Sequence, residues 1–158
     1  MNNNLMRGQA IVVAVVVVLM QLPKMLAMRY LQSGDIDVCS WLSFKLSFNK
    51  GIAWSYLSTN LWFGQYILAA IALGVLLLLA GSSMIQSDEV NKKIFFIVSL
   101  GAFGNIVDRL MYGHVIDYID LHWGAYHWPT FNIPDILIVV GLLLIVARMN
   151  YDDIERPN

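Results

Sequence analysis

The chain has 158 residues, 58% apolar and only 13% charged, against roughly 45–50% and about 25% in an ordinary soluble domain. A single domain of this size has too little interior to hide that much hydrocarbon. The composition, with a mean hydropathy of +0.63, therefore excludes cytosolic enzymes, disordered chains and disulfide scaffolds and points to an integral membrane protein. A net charge of −1 gives no reason to expect nucleic acid as a partner, and the one cysteine, Cys39, has no internal partner for a disulfide.

The charged residues delimit the spans. Arg7 and Lys24 enclose 16 uncharged residues, and residues 51–87 form an uncharged run of 37. Lys93 and Asp108 enclose 14, and Asp135 and Arg148 enclose 12. A helix needs about 20 residues to cross the hydrocarbon core, so the last two spans reach that length only by taking charged residues with them. The reading is an all-α integral membrane protein with four transmembrane helices, near residues 7–28, 61–82, 94–112 and 132–150, in a single domain over 1–158. No small-x-small cleavage site follows the first apolar run, so that run reads as an uncleaved helix. Gly74 and Gly81 read as helix-packing positions, and the eight methionines as packing residues.

Four spans put both termini on one side, together with the turn at 83–93. That side carries Arg7, Lys92, Lys93, Arg148 and Arg156, and the basic bias places it in the cytoplasm. The opposite side carries Arg29, Lys45 and Lys50 over a longer stretch, and Trp41, Trp54, Trp62, Trp123 and Trp128 fall there or at its interface. Within the outer segment, residues 30–60, the strict alternation Leu42-Ser-Phe44-Lys-Leu46-Ser-Phe48-Asn argues for a strand with one apolar face. Residues 52–60 read as a short interfacial helix, and 113–131 as the loop joining spans three and four.

The remaining question is why charges stand at span ends. Asp108 and Arg109 close span three, Asp117 and Asp120 follow it, and Asp135 opens span four, so carboxylates gather at one depth near the outer surface. Ionisable groups in a span cost a few kcal/mol and are functional candidates by default. Each also has a structural explanation. Asp108 and Arg109 could pair at the interface; Asp135, behind Asn132 and Pro134, suits a helix N-terminus; Asp120 reads as solvated. Asp117 is flanked only by apolar residues. Two aspartates in a semi-dry site share one proton, which supplies a base to activate water and an acid for a leaving amine. Aspartyl proteolysis, with no metal or cofactor, suits such a pair, although spacing alone does not bring Asp117 to Asp135. His122 and His127, five apart in a loop, make a poor metal site.

At these residues the chain resembles the lipoprotein signal peptidases, or signal peptidase II, along nearly its whole length. Four stretches carry the likeness: Asn49-Lys-Gly51-Ile-Ala53-Trp54, Gly104-Asn105-Ile-Val-Asp108-Arg109, Val115-Ile-Asp117-Tyr-Ile119-Asp120 and Phe131-Asn132-Ile-Pro-Asp135. The resemblance implies a catalytic pair at Asp117 and Asp135, with Asn49, Gly51, Asn105, Asp108, Arg109, Asn132 and Lys24 in support. It implies a multi-pass protein of the bacterial inner membrane with its active site near the outer, periplasmic face. There it would act as an aspartyl endopeptidase that cuts prolipoproteins just before a diacylglyceryl-modified Cys. It further implies contact with membrane lipid, inhibition by globomycin-like cyclic peptides, a small outer-face β-cradle around 42–48 and a surface helix after it. Two departures stand out. Met20 occupies the position of the family's Asp, with Gln21 and Lys24 retained, and Pro134 replaces the usual Ala before Asp135. Two other classes compete: a paralogue that binds lipidated peptides without cutting them, supported by Met20, and a small proton-coupled transporter using Asp108, Arg109 and Asp135.

Overall fold

A computed structural model describes residues 3–51, 63–85 and 88–155. The expected surface helix at 52–60, with Trp54 and Trp62, lies outside the described residues, as does Arg156. The described residues form four long helices, α1 (Asn3–Tyr30), α2 (Gly64–Ile85), α3 (Glu89–Tyr112) and α4 (Ile133–Glu155), each overlapping an expected span. Among the described residues, Gly64–Ser82 and Glu89–Tyr112 are long and apolar enough to cross a membrane by length and composition. The chain divides into two compact units, one holding α1 and the stretch His114–Asn132, the other α2, α3 and α4.

In the first unit α1 packs on a four-stranded antiparallel sheet of order β1 (Ile36–Cys39), β2 (Leu42–Asn49), β3 (Val115–Trp123) and β4 (Tyr126–His127). The helix runs through Pro23 without ending. The alternating segment is the strand it was expected to be, but it is not the only one. The stretch expected as a loop contains the nine-residue β3 and its hairpin partner β4. Nor does the alternation give one apolar face. Phe44 pairs with Ile119 and Ser47 with Asp117, so three steps along β2 match two along β3. Lys45 and Leu46 both stand against Tyr118, a β-bulge with one extra residue. Facing residues share a side of the sheet, and β3 alternates, so Phe44 (opposite Ile119) and Phe48 (opposite Ile116) lie on opposite faces.

The second unit is a helical layer with α3 packed on both α2 and α4. Asp88 caps α3, its Oδ1 accepting from the backbone N–H of Val90 (2.7 Å) and Asn91 (3.0 Å), which satisfies two of the donors a helix N-terminus leaves open. The Asp88 Oδ2 accepts from Arg148 Nη2 at 2.7 Å, and Arg148 Nε donates to Asn91 Oδ1 at 2.8 Å, tying the start of α3 to α4. Gly113 ends α3 in the left-handed conformation, φ 72°, where any side chain would be strained. The expected packing role of Gly74 and Gly81 is not what the helices show, because a Cβ at either would meet nothing within 4 Å among the described residues. The tight contacts are at Gly101, where a Cβ would lie 2.7 Å from the Pro134 carbonyl oxygen, and at Gly141, where it would strike Val98.

Candidate active site

Asp117 is the third of the nine residues of β3 and is 1% exposed. Both carboxylate oxygens are engaged by side-chain amides: Asn49 Nδ2 donates to Oδ2 at 3.0 Å and Asn132 Nδ2 to Oδ1 at 2.7 Å. Each amide is itself oriented. The Asn49 oxygen accepts from the Gly51 backbone N–H at 2.9 Å, so its NH2 must be the end that faces the carboxylate. Asn132, fully buried, also places its Nδ2 3.3 Å from the Ile116 carbonyl oxygen. The free edge of β3 is held by the chain just before Asn132: Tyr118 and Ile119 N–H donate to the Phe131 carbonyl (3.0 and 2.9 Å), and Phe131 N–H donates back to Ile119 at 3.1 Å. Asp117 is therefore fixed from three directions, by its strand, by β2 through Asn49, and by the chain entering α4 through Asn132.

In the helical unit, Asp135 stands in the first turn of α4, half-buried, and its Oδ1 accepts from Asn105 Nδ2 of α3 at 2.7 Å. The Gly101 contact lets α3 approach the Pro134 carbonyl closely enough for that bond. Arg109 reaches back along α3 to the Asn105 carbonyl at 3.5 Å, and Asp108 is wholly buried. Lys24 is wholly buried on α1, in the first unit, one helical turn from the buried Met20. Thus the structure brings Asn49, Gly51, Asp117 and Asn132 together in one unit, and Asn105, Arg109 and Asp135 together in the other. Carboxylates held by amide N–H groups, Asp117 buried and Asp135 half-buried, are suited to acid–base work, because the donors orient the oxygens without supplying a competing charge.

Asp120 departs from its expected solvated state: it is 2% exposed. Its Oδ2 accepts from His127 Nδ1 at 2.8 Å across the β3–β4 hairpin, and its Oδ1 has no hydrogen-bond partner among the described residues. His127 stacks on His122 with ring centroids 5.1 Å apart. His122 Nε2 in turn lies 2.9 Å from Ser43 Oγ, whose hydroxyl donates to Asp37 Oδ1 at 2.7 Å. A side-chain ladder, Asp37–Ser43–His122–His127–Asp120, thus crosses all four strands on the face opposite Asp117. Sequence reasoning missed it. The pairing follows from hairpin register, and five-residue spacing signals nothing on its own.

The comparisons with known proteins agree with one another. The family model described as signal peptidase (SPase) II matches residues 12–151. A lipoprotein signal peptidase of Polynucleobacter necessarius subsp. necessarius (strain STIR1) is 38% identical over 148 residues, covering 90% of this chain and 88% of that protein. One of Janthinobacterium sp. (strain Marseille) is 32% identical over 150 residues, covering 92% and 87%. Among solved structures, a bacterial membrane enzyme determined by the in meso method at 2.3 Å superposes with a TM-score of 0.74 at 27% identity, covering 96% of this chain and 93% of that one. A second, at 1.9 Å, gives 0.71 at 28% identity, covering 90% and 92%. With the family model spanning most of its length and relatives above 30% identity along nine-tenths of it, this chain belongs to the signal peptidase II family.

Proposed function

We propose that this protein is a membrane-embedded aspartyl endopeptidase that removes the signal peptide from diacylglyceryl-modified prolipoproteins, cutting just before the lipidated Cys, with Asp117 and Asp135 as its catalytic pair. The observation that carries the reading is the double amide clamp on Asp117. Asn132 and Asn49 hold its two oxygens at 2.7 and 3.0 Å, which orients the carboxylate for acid–base work without a competing charge. The names of the relatives support the substrate class.

In this mechanism the two aspartates share one proton, with Asp117 as the ionised partner and Asp135 as the protonated one. Asp117 takes a proton from the water as its oxygen adds to the scissile carbonyl carbon, and Asp135 protonates the carbonyl oxygen. On collapse of the tetrahedral intermediate the C–N bond breaks and the leaving amine takes a proton from Asp117. Asp135 regains its own from the intermediate's hydroxyl, so the pair returns to its starting state. Asn105 holds Asp135 throughout, and Gly51 keeps the Asn49 amide aimed at Asp117. Lys24, Asp108 and Arg109 support the frame.

The placement follows from the same reading: one membrane domain of four spans in the bacterial inner membrane, both termini cytoplasmic, the sheet and site at the outer face in contact with lipid. Exposed apolar residues such as Leu77, Leu78, Leu143 and Val146 on α2 and α4 support it, as do the exposed Trp41, Trp123 and Trp128. A globomycin-like cyclic peptide would compete for the dyad. The test uses purified wild type, Asp117→Asn and Asp135→Asn in detergent with a diacylglyceryl-modified prolipoprotein, read by gel shift. Cleavage by wild type alone is expected; a wild-type rate in either variant refutes the dyad. The buried Met20 one turn from Lys24 favours a second reading, a paralogue that binds without cutting, which would show inhibitor binding and no turnover in the wild type.

A further inference from the structure

The extra residue in β2 decides which face of the sheet Asn49 presents. Without the bulge, and with Ser43 still opposite Asp120, regular pairing would run Phe44 to Ile119, Lys45 to Tyr118, and finally Asn49 to His114. Side chains alternate along a strand, and a one-residue slip moves each to the other face. Asn49 would then share a face with His114 and Ile116, away from Asp117. In the observed register Asn49 pairs with Val115, on the Asp117 face, and its amide reaches the carboxylate at 3.0 Å. The alternative regular register keeps Asn49 in place and slides the other half of β2 instead. It would carry Ser43 away from His122 and turn Phe44 onto the polar face. The bulge therefore survives only if β2 is pinned on both sides of it.

Asn49 and Asp117 supply one pin. The other side carries the Ser43–His122 contact at 2.9 Å. Ser43 is buried, and its single hydroxyl proton goes to Asp37 at 2.7 Å, so His122 Nε2–H donates to Ser43 Oγ. His122 is in turn stacked on His127, which is tied to the buried Asp120. We infer that Ser43 and His122 form a positioning pair that holds the β2 bulge and, through it, keeps the Asn49 amide on Asp117. This rests on the reading of Asp117 as the base of the peptidase. Neither residue touches the substrate. Their effect reaches the reaction only through the orientation of Asn49.

The experiment is a double-mutant cycle in the full-length protein, with the same lipidated prolipoprotein as substrate. His122→Leu and, more mildly, Ser43→Ala each remove the pin. Each should lower kcat by about tenfold, the scale of one hydrogen bond, with KM within about twofold of wild type. His122→Gln keeps a donor near the Nε2 position and should restore most of the rate. In an Asn49→Ala background, His122→Leu should cost nothing further, because the effect it transmits is already lost. Amide hydrogen exchange across residues 47–49 should accelerate in His122→Leu and not in His122→Gln. Multiplicative losses in the cycle, or unchanged exchange in both His122→Leu and Ser43→Ala, overturn the inference. If the wild type does not cleave, the peptidase reading fails; acceleration of exchange then still supports the pin on Asn49, and its absence overturns it.

Discussion

Gly101→Ala and Gly74→Ala are the same chemical change in neighbouring helices of one unit, and they should shift stability in opposite directions. At Gly74 the added methyl meets open space, so only backbone entropy changes, and Ala is favoured over Gly inside a helix by about 1 kcal/mol. At Gly101 the same gain is overridden. The new Cβ would sit 2.7 Å from the backbone oxygen of Pro134, 3.0 Å from Ile138 Cγ1 and 3.3 Å from Leu137 Cβ. The first contact is short by about 0.7 Å of ordinary van der Waals approach and cannot be relieved by a side-chain rotation, so α4 must move. Overpacking of this kind costs about 1–3 kcal/mol, and a backbone collision belongs near the top of that range. The net loss is about 1–2 kcal/mol. For a chain of this size that corresponds to a fall in Tm of about 3–6 °C, against a rise of about 2–4 °C for Gly74→Ala. The displaced Pro134 precedes Asp135, so the Asn105–Asp135 bond should lengthen and kcat should fall along with Tm. Thermal unfolding in a single detergent, with the cleavage assay on the same preparations, measures both. Equal shifts of the same sign, or a Gly101→Ala protein as stable and active as wild type, would refute the claim that α3 and α4 touch at this glycine.

Two further outcomes follow from the geometry. Asn132→Ala removes the 2.7 Å donor to Asp117; a hydrogen bond to a charged group is worth about 1.5–3 kcal/mol, so kcat should drop by about 10- to 100-fold with KM little changed, read from initial rates. At the start of α3, the Asp88 carboxyl is held below its usual value near 3.8, first by the Asn91 backbone N–H, which desolvation opposes as the next-largest influence, and then by the Val90 N–H and the Arg148 guanidinium. A lowered folded-state value means that its stabilisation is fully present above that usual value and disappears as pH falls through the lower one. Unfolding midpoints measured from pH 5 to pH 2 should therefore fall more steeply in wild type than in Asp88→Asn, which keeps a capping oxygen but does not titrate.

Much of this architecture was readable in the chain. The four helices follow from long uncharged runs, the last two of which, at 14 and 12 residues, reach spanning length only with the charged residues at their ends. Asp117 and Asp135 stood out because carboxylates beside apolar runs are costly unless they have partners, and the resemblance to the signal peptidase II family added Asn49, Asn105 and Asn132. Tertiary contact alone decided the rest. β3 carries Asp117, Asp120 and His122 at spacings of three and two, which breaks any period-two signal; it is a strand because β2 lies on one edge and Phe131 on the other. The alternation in β2 suggested one apolar face, and only pairing with β3 revealed the bulge that turns Asn49 toward Asp117. Asp120 looked solvated because the histidine that covers it arrives across a hairpin. Gly74 and Gly81 looked like contact points and Gly101 did not, since a glycine's neighbours belong to another helix. Composition and local spacing determine where a helix can lie and which residues need partners. The identity of those partners is set by register and by inter-helix distance, properties of two segments at once that neither segment encodes alone.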